Sequence, residues 1–273
     1  MSLKLMYITN DEKVALIAEK YGVDRVWIDL ETLGKEERQK GMNTVKSKHC
    51  IDDIRRIAPL LSTSEMLVRI NPWHEGSIAE IEQVIEAGAQ NIMLPMWRSV
   101  SEVDSFLKAV KGRTKTILLL ETIDAQNCLD EVLKLEGVEE IHIGLNDLHL
   151  CYGQKFMFEL LANGTVDFIC EKIKKSDIAF GFGGVARIGE GTLSADRIIM
   201  EHYRLGSKAV ILSRAFCDTS KITDIQEIEE TFRKNISNLR RFEEEVASKA
   251  SENDFLNNHQ KVIECVHKIV SGL

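Results

Sequence analysis

Glu121 closes the apolar run KTILLLE, and Asp147 closes EEIHIGLND 26 positions further on. Two carboxylates brought to about 4 Å from each other near a protein surface repel by about 4 kcal/mol, so such a pair needs a reason. One reason is a hard divalent cation, since Mg²⁺ takes one or two carboxylates and leaves the rest of its octahedron to water and substrate. The other is structural: Thr122, Asp124 or Asp147 caps the helix that follows, and Glu121 is merely solvated. Spacing alone leaves both open. Charge recurs at the ends of other apolar runs, as Asp29 and Glu31 in WIDLE, Arg69 in VRINP, Arg187 in GFGGVARIGEG and Arg214 in ILSR, with Met96 ending NIMLPM. Asp29 and Glu31 lie two apart and so share one face of a strand. From there both reach the waters of a bound cation, although a salt bridge to a nearby Lys or Arg explains them equally well.

These residues can meet only if the elements carrying them converge. Eight apolar runs (KLMYIT, DRVWIDLE, EMLVRINP, NIMLPMW, KTILLLET, EEIHIGL, IAFGFGGVA and KAVILSR) alternate with stretches of helical period. Gly22, Gly88, Gly112, Gly137 and Gly206 fall where those helices should stop. Repeated βα units imply a parallel sheet, and eight of them predict an α/β fold of the closed (β/α)8 TIM barrel type over residues 1–220. In such a barrel the active site lies at the C-terminal strand ends, where the charged residues above are placed. An open doubly wound sheet is the rival, and the missing GxGxxG fingerprint weakens its dinucleotide-binding form. Residues 221–273 read as a C-terminal helical extension. ITDIQEIEETFRKNISNLRRFEEEVASKA carries Ile228, Phe232, Ile236 and Leu239 on one side, and a second helix over about 255–270 carries Val262 and Val266. The favoured reading is the eighth barrel helix plus a terminal helix on the same subunit. An arm packed on a neighbouring subunit fits the same spacing.

The 273 residues carry a formal net charge of −8, with 44% hydrophobic and 29% charged residues, and have no polybasic block. That describes an ordinary globular protein and argues against nucleic acid or an anionic membrane as partner. The six cysteines form no CxxC pair, and no apolar run reaches the roughly 18 residues of a membrane span. MSLKLMYITNDEK also lacks a signal peptide's apolar region, so a reduced, cytoplasmic protein is expected.

LLLET joined to IHIGLNDL, with VRINP upstream and WIDLE before that, resembles the HpcH/HpaI aldolase and citrate lyase family over roughly residues 20–215. The resemblance implies a divalent metal, Mg²⁺ or Mn²⁺, between Glu121 and Asp147, with Arg69 binding the oxo and carboxylate groups of a small anionic 2-oxo or hydroxy acid. It implies cleavage or formation of a C–C bond beside a carbonyl through a metal-stabilised enolate, and a homo-oligomer. Lewis-acid chemistry of that kind suits a chelating oxo acid, and a guanidinium fork suits its oxyanion better than Lys would. The family's oxo-acid aldolases carry a proton-transferring His in a Gly-Glu-His triplet, where this chain has Leu30-Glu31-Thr32. IDLET instead resembles the Asp-Leu-Glu-Asp segment of the citrate lyase branch, which keeps a CoA thioester substrate as the alternative. A barrel that binds an oxo acid without catalysis is another.

A replacement base is sought in LGKEERQKGMNTVKSKHC, which carries Lys35, Arg38, Lys40, Lys46, Lys48 and His49. His49 is the candidate base beside Glu31 and Arg69 as catalytic residues. Lys46 is a candidate for an anionic substrate tail, and Asp29 is assigned to substrate binding. A solvated surface loop is the plain reading of the same segment. Gly183 and Gly184 allow close approach to a ligand, and Gly184 and Arg187 are taken as substrate-binding, although no GK[ST] follows. His142 reads as a core histidine, and His149 is left undecided.

Overall fold

The computed structural model describes residues 2–34 and 49–273. The chain runs β1 (Lys4–Ile8), α1 (Glu12–Lys20), β2 (Arg25–Asp29), α2 (Ile51–Ile57), β3 (Glu65–Arg69), α3 (Ser77–Glu86), β4 (Asn91–Leu94), α4 (Val100–Val110) and β5 (Lys115–Leu120). It continues through α5 (Ile123–Asn127), α6 (Leu129–Val132), β6 (Glu140–Ile143), α7 (Leu145–Cys151), α8 (Glu159–Ala162), α9 (Thr165–Lys174), β7 (Ala179–Val185), α10 (Ala195–Leu205) and β8 (Ala209–Leu212). Two long helices, α11 (Ile225–Lys249) and α12 (Glu252–Ser271), follow. Each strand pairs in parallel with the next and β8 pairs with β1, closing an eight-stranded (β/α)8 barrel.

The period of two sorts the strands other than β7, whose register shifts between Gly181 and Gly184. Trp27, Leu67, Met93, Ile117 and Leu119 point inward and form a buried plug with Met6 and Ala209. Their neighbours Ile28, Val68, Leu118, Leu120, Ile141 and Ile143 point outward into the helical layer. At the N-terminal end of the plug Arg25 donates to both oxygens of Glu140 at 2.7 Å and to Glu65 at 3.3 Å, and Lys115 pairs with Glu65. Two cations and two carboxylates balance there. At the other end, β2 and β3 place Asp29 opposite Arg69 as register partners. The inward face of β5 continues from Leu119 to Glu121, and Gly144 N–H donates to Leu120 at 2.8 Å, so β5 and β6 leave the barrel side by side.

One long helical stretch of the sequence is broken. The stretch from Gln154 to Ser176 divides into α8 and α9 at Gly164, whose φ of +81° no helix accepts. The helix candidate NCLDEVLKLEG becomes the short α6, preceded by a separate short helix α5 over Ile123–Asn127. The long helix α11 packs against α1 and α10 and so takes the eighth place in the helical ring. Helix α12 packs on α10 and α8 of the same chain, with Val262 and Val266 fully buried. A polar lock fixes it: the buried Glu201 carboxylate of α10 accepts from Asn258 Nδ2 and His259 Nδ1 of α12, each at 2.9 Å, and from Arg204. No described helix is long and apolar enough to cross a membrane.

Candidate active site

Arg69 ends β3 at the barrel mouth. Its Nε and Nη2 donate to the two oxygens of Asp29, both at 2.9 Å, and Nη2 also meets Glu31 Oε2 at 3.2 Å. This is the fork-to-carboxylate geometry that only guanidinium provides. The guanidinium lies over the Trp27 ring, 5.3 Å from its centroid. Burial works against the charge, but Asp29, Glu31 and Glu121 outweigh it and hold Arg69 above its usual pKa. Asp29 and Glu31 thus share one face, as period two requires, and spend it on Arg69. The segment after them is clamped by Asn71, whose Oδ1 accepts the N–H groups of Thr32 and Leu33 at 2.9 and 3.0 Å.

Glu121 is buried at 2% exposure, and Thr122, not Glu121, caps the following helix by accepting from Ala125 N–H. Asp147 lies in the first turn of α7, half-buried, behind a Gly144 cap. Burial and the facing Asp147 carboxylate push Glu121 well above the usual carboxyl range, with Glu31 adding to the push. Arg69 and the Met96 N–H oppose it. That N–H donates to Glu121 Oε1 at 3.1 Å, and Met96 reaches it with a left-handed φ of +52°, a conformation that costs a non-glycine residue about 1 kcal/mol or more. Gly144 makes room on the other side: a Cβ there would lie 2.8 Å from Glu121 Oε2 and 2.9 Å from its Cβ. Glu121 ion-pairs with none of the described residues.

A cavity of about 380 Å³ opens beside these groups, walled by Arg69, Glu121 and Asp147 together with Gly184 and His142. Asp29 and Glu31 are not in its wall and touch it through Arg69. His142 is fully buried; its Nε2 bonds Gly183 O at 3.2 Å, and burial pushes the ring down to about 4. His149 Nδ1 donates to Leu145 O within its own helix. Arg187 donates from Nε to Phe216 O at 2.8 Å, tying the loops after β7 and β8 together outside the cavity wall. Arg214 is exposed between the lining residues Ser213 and Ala215. His49 lies behind Asp29, whose N–H it accepts on Nδ1 at 3.0 Å. The one lone pair of the neutral ring is therefore engaged, Nε2 carries the proton, and base duty requires that bond to break. Lys35, Arg38, Lys40, Lys46 and Lys48 lie outside the described residues.

The sequence model of the HpcH/HpaI aldolase/citrate lyase family matches residues 4–159, which hold Arg69, Glu121 and Asp147. The chain belongs to the HpcH/HpaI aldolase/citrate lyase family. Among solved structures it is similar to an HpcH/HpaI aldolase/citrate lyase family protein from Burkholderia cenocepacia, at 13% identity over 83% of this chain and 94% of that one, with a TM-score of 0.63. It is also similar to an HpcH/HpaI aldolase from Desulfitobacterium hafniense, at 14% identity over 84% and 93%, TM-score 0.59. The citrate synthase SbnG matches at 15% identity over 84% and 94%, TM-score 0.60. At such identities the likeness speaks for the barrel. A search of curated proteins finds no match.

The residues at this mouth fit a divalent metal. A buried carboxylate with a raised pKa, facing a second carboxylate, is the arrangement that a cation stabilises, and both offer hard oxygen donors. Among the described residues no group of three or more His, Cys, Asp or Glu side chains could hold an ion. Two carboxylates alone match a metal that keeps most of its waters, as Mg²⁺ or Mn²⁺ does, and not a closed zinc cage. Sequence reasoning missed the Met96 N–H and the Gly144 clearance, because backbone groups leave no side-chain signature. It also missed Trp27 beneath Arg69, although Trp27 stands two before Asp29 on the same face.

Proposed function

We propose that this chain is a divalent-metal-dependent carbon–carbon lyase or aldolase, acting on a small 2-oxo or hydroxy acid. Buried Glu121, without an ion pair among the described residues and set against Asp147, carries this reading. When bound between them, Mg²⁺ or Mn²⁺ supplies Lewis-acid stabilisation to the oxygens of a chelating oxo acid. Met96 N–H fixes the Glu121 carboxylate, and Gly144 leaves it space to turn toward the cavity. Arg69 offers a permanent positive charge and its Nη1 where negative charge develops on the substrate, with Nε and Nη2 held by Asp29 and Glu31, so little reorganisation is needed during reaction. Asp29 and Glu31 act as positioning residues for it. Gly184 lets the backbone of β7 approach the ligand, and Arg187 holds the neighbouring loop. His49 is assigned to proton handling at Nε2, as a hydrogen-bond donor while Asp29 N–H occupies Nδ1. The IDLET segment favours a second reading, in which the same mouth serves a CoA thioester.

Solvent deuterium exchange into the methyl group of pyruvate, followed by proton NMR, tests this without knowledge of the second substrate. Metal-dependent exchange is expected, and it should vanish in Glu121→Ala. Metal-dependent pyruvate binding with no exchange would instead favour an oxo-acid-binding barrel without catalysis.

A further inference from the structure

The cavity that begins at Arg69, Glu121 and Asp147 extends past them toward the ends of β7 and β8. Its far wall is made by Leu145, Phe156, Met157, Phe158, Leu193 and Ile198, all apolar. Gly183, at φ +51°, keeps Leu145 in that wall, because a Cβ there would lie 2.8 Å from the Leu145 side chain. The polar groups on the same side are neutral. Thr192 and Ser213 bring hydroxyls, and His142 is kept uncharged near pH 7 by burial. Among the described lining residues Arg69 is the one permanent cation and stands at the opposite end. A volume of about 380 Å³ is in the range that holds drug-sized ligands, so a three-carbon oxo acid leaves room to spare.

We infer that this second lobe receives an uncharged, apolar group: the aliphatic or aromatic remainder of the carbonyl compound joined to, or released from, the oxo acid. The inference rests on the proposed function and names its second substrate. A carboxylate or phosphate at that end would leave water for a wall whose described residues offer it two hydroxyls and no cation, whereas an alkyl or aryl group gains by the same transfer. The sequence-based expectation of an anionic tail rests on Lys46 and its neighbours, which lie outside the described residues.

Calorimetry in the presence of Mg²⁺ tests it with pyruvate, 2-oxohexanoate and 2-oxoadipate. The last two share one chain and differ only in ending on methyl or carboxylate. The expected order is 2-oxohexanoate tightest, and tighter than 2-oxoadipate by about tenfold or more. Met157→Lys at a half-buried position, or Phe156→Lys if that variant fails to fold, should reverse the preference between the two. Pyruvate binding together with equal or tighter 2-oxoadipate binding would overturn the apolar lobe and leave the metal site standing. If none of the three oxo acids binds, the reading of the site falls and this inference with it.

Discussion

Arg69 is oriented before substrate arrives, and that costs two acids. A Lys at the same place keeps the charge but not the paired bonds to Asp29 at 2.9 Å, so it would wander within the mouth. Arg69→Lys is therefore expected to lower kcat/KM by about a hundredfold, mostly through kcat, because a preorganised donor acts on the transition state. An unchanged kcat would make Arg69 a structural residue. His49→Ala is expected to abolish turnover while calorimetric metal binding survives, and retained turnover would remove His49 from the mechanism. At this scale the sequence is legible wherever a side chain carries the chemistry. Asp29, Arg69, Glu121 and Asp147 stand out because charge at the end of an apolar run needs explaining. The engaged Nδ1 of His49 depends on a backbone N–H 20 positions away, and no local pattern shows it.

Elements place those side chains through a few close approaches. Gly144→Ala would set a methyl 2.8 Å from Glu121 Oε2 and 2.9 Å from its Cβ and displace the carboxylate, so oxo-acid affinity in Mg²⁺ should fall by about tenfold or more, with about 1–3 kcal/mol of stability lost to the overpacking. Unaltered affinity would show that Glu121 does not need its present position. Helix α12 gives the opposite case, stability without the site. Glu201→Ala strips the buried partner from Asn258, His259 and Arg204 and should cost about 3 kcal/mol in urea unfolding, with oxo-acid binding kept. The strands and their helices were readable because period two and period 3.6 differ and helix-stopping glycines separate them. The break between α8 and α9 was not, since the apolar pattern runs on across Gly164, and neither was the short α5 ahead of α6.

The whole molecule has two charged barrel ends with different logic. Arg25, Lys115, Glu65 and Glu140 neutralise each other at the N-terminal end, whereas the C-terminal mouth gathers acids around Arg69. Between them sits His142, and behind β7 lies His202, stacked on Phe182; both rings are pushed down by burial. A His depressed in the folded state binds its proton more readily when unfolded, so stability is present above the ordinary value near 6.5 and is lost as pH falls toward about 4. For His142 alone the loss is about 3 kcal/mol, and His142→Gln should flatten that part of the urea-midpoint profile between pH 7 and 4.5. A profile unchanged by the substitution would contradict the assignment. A homo-oligomer is also proposed, on the family resemblance, and a monomer in light scattering would count against it.

The proposed chemistry requires Glu121 and Asp147 to hold a cation that an oxo acid completes. Calorimetry of pyruvate binding to wild type and Glu121→Gln, with and without Mg²⁺, tests it most directly. Binding is expected to require the metal and to disappear in the variant. Binding that ignores both would contradict it, leaving the barrel and removing its chemistry.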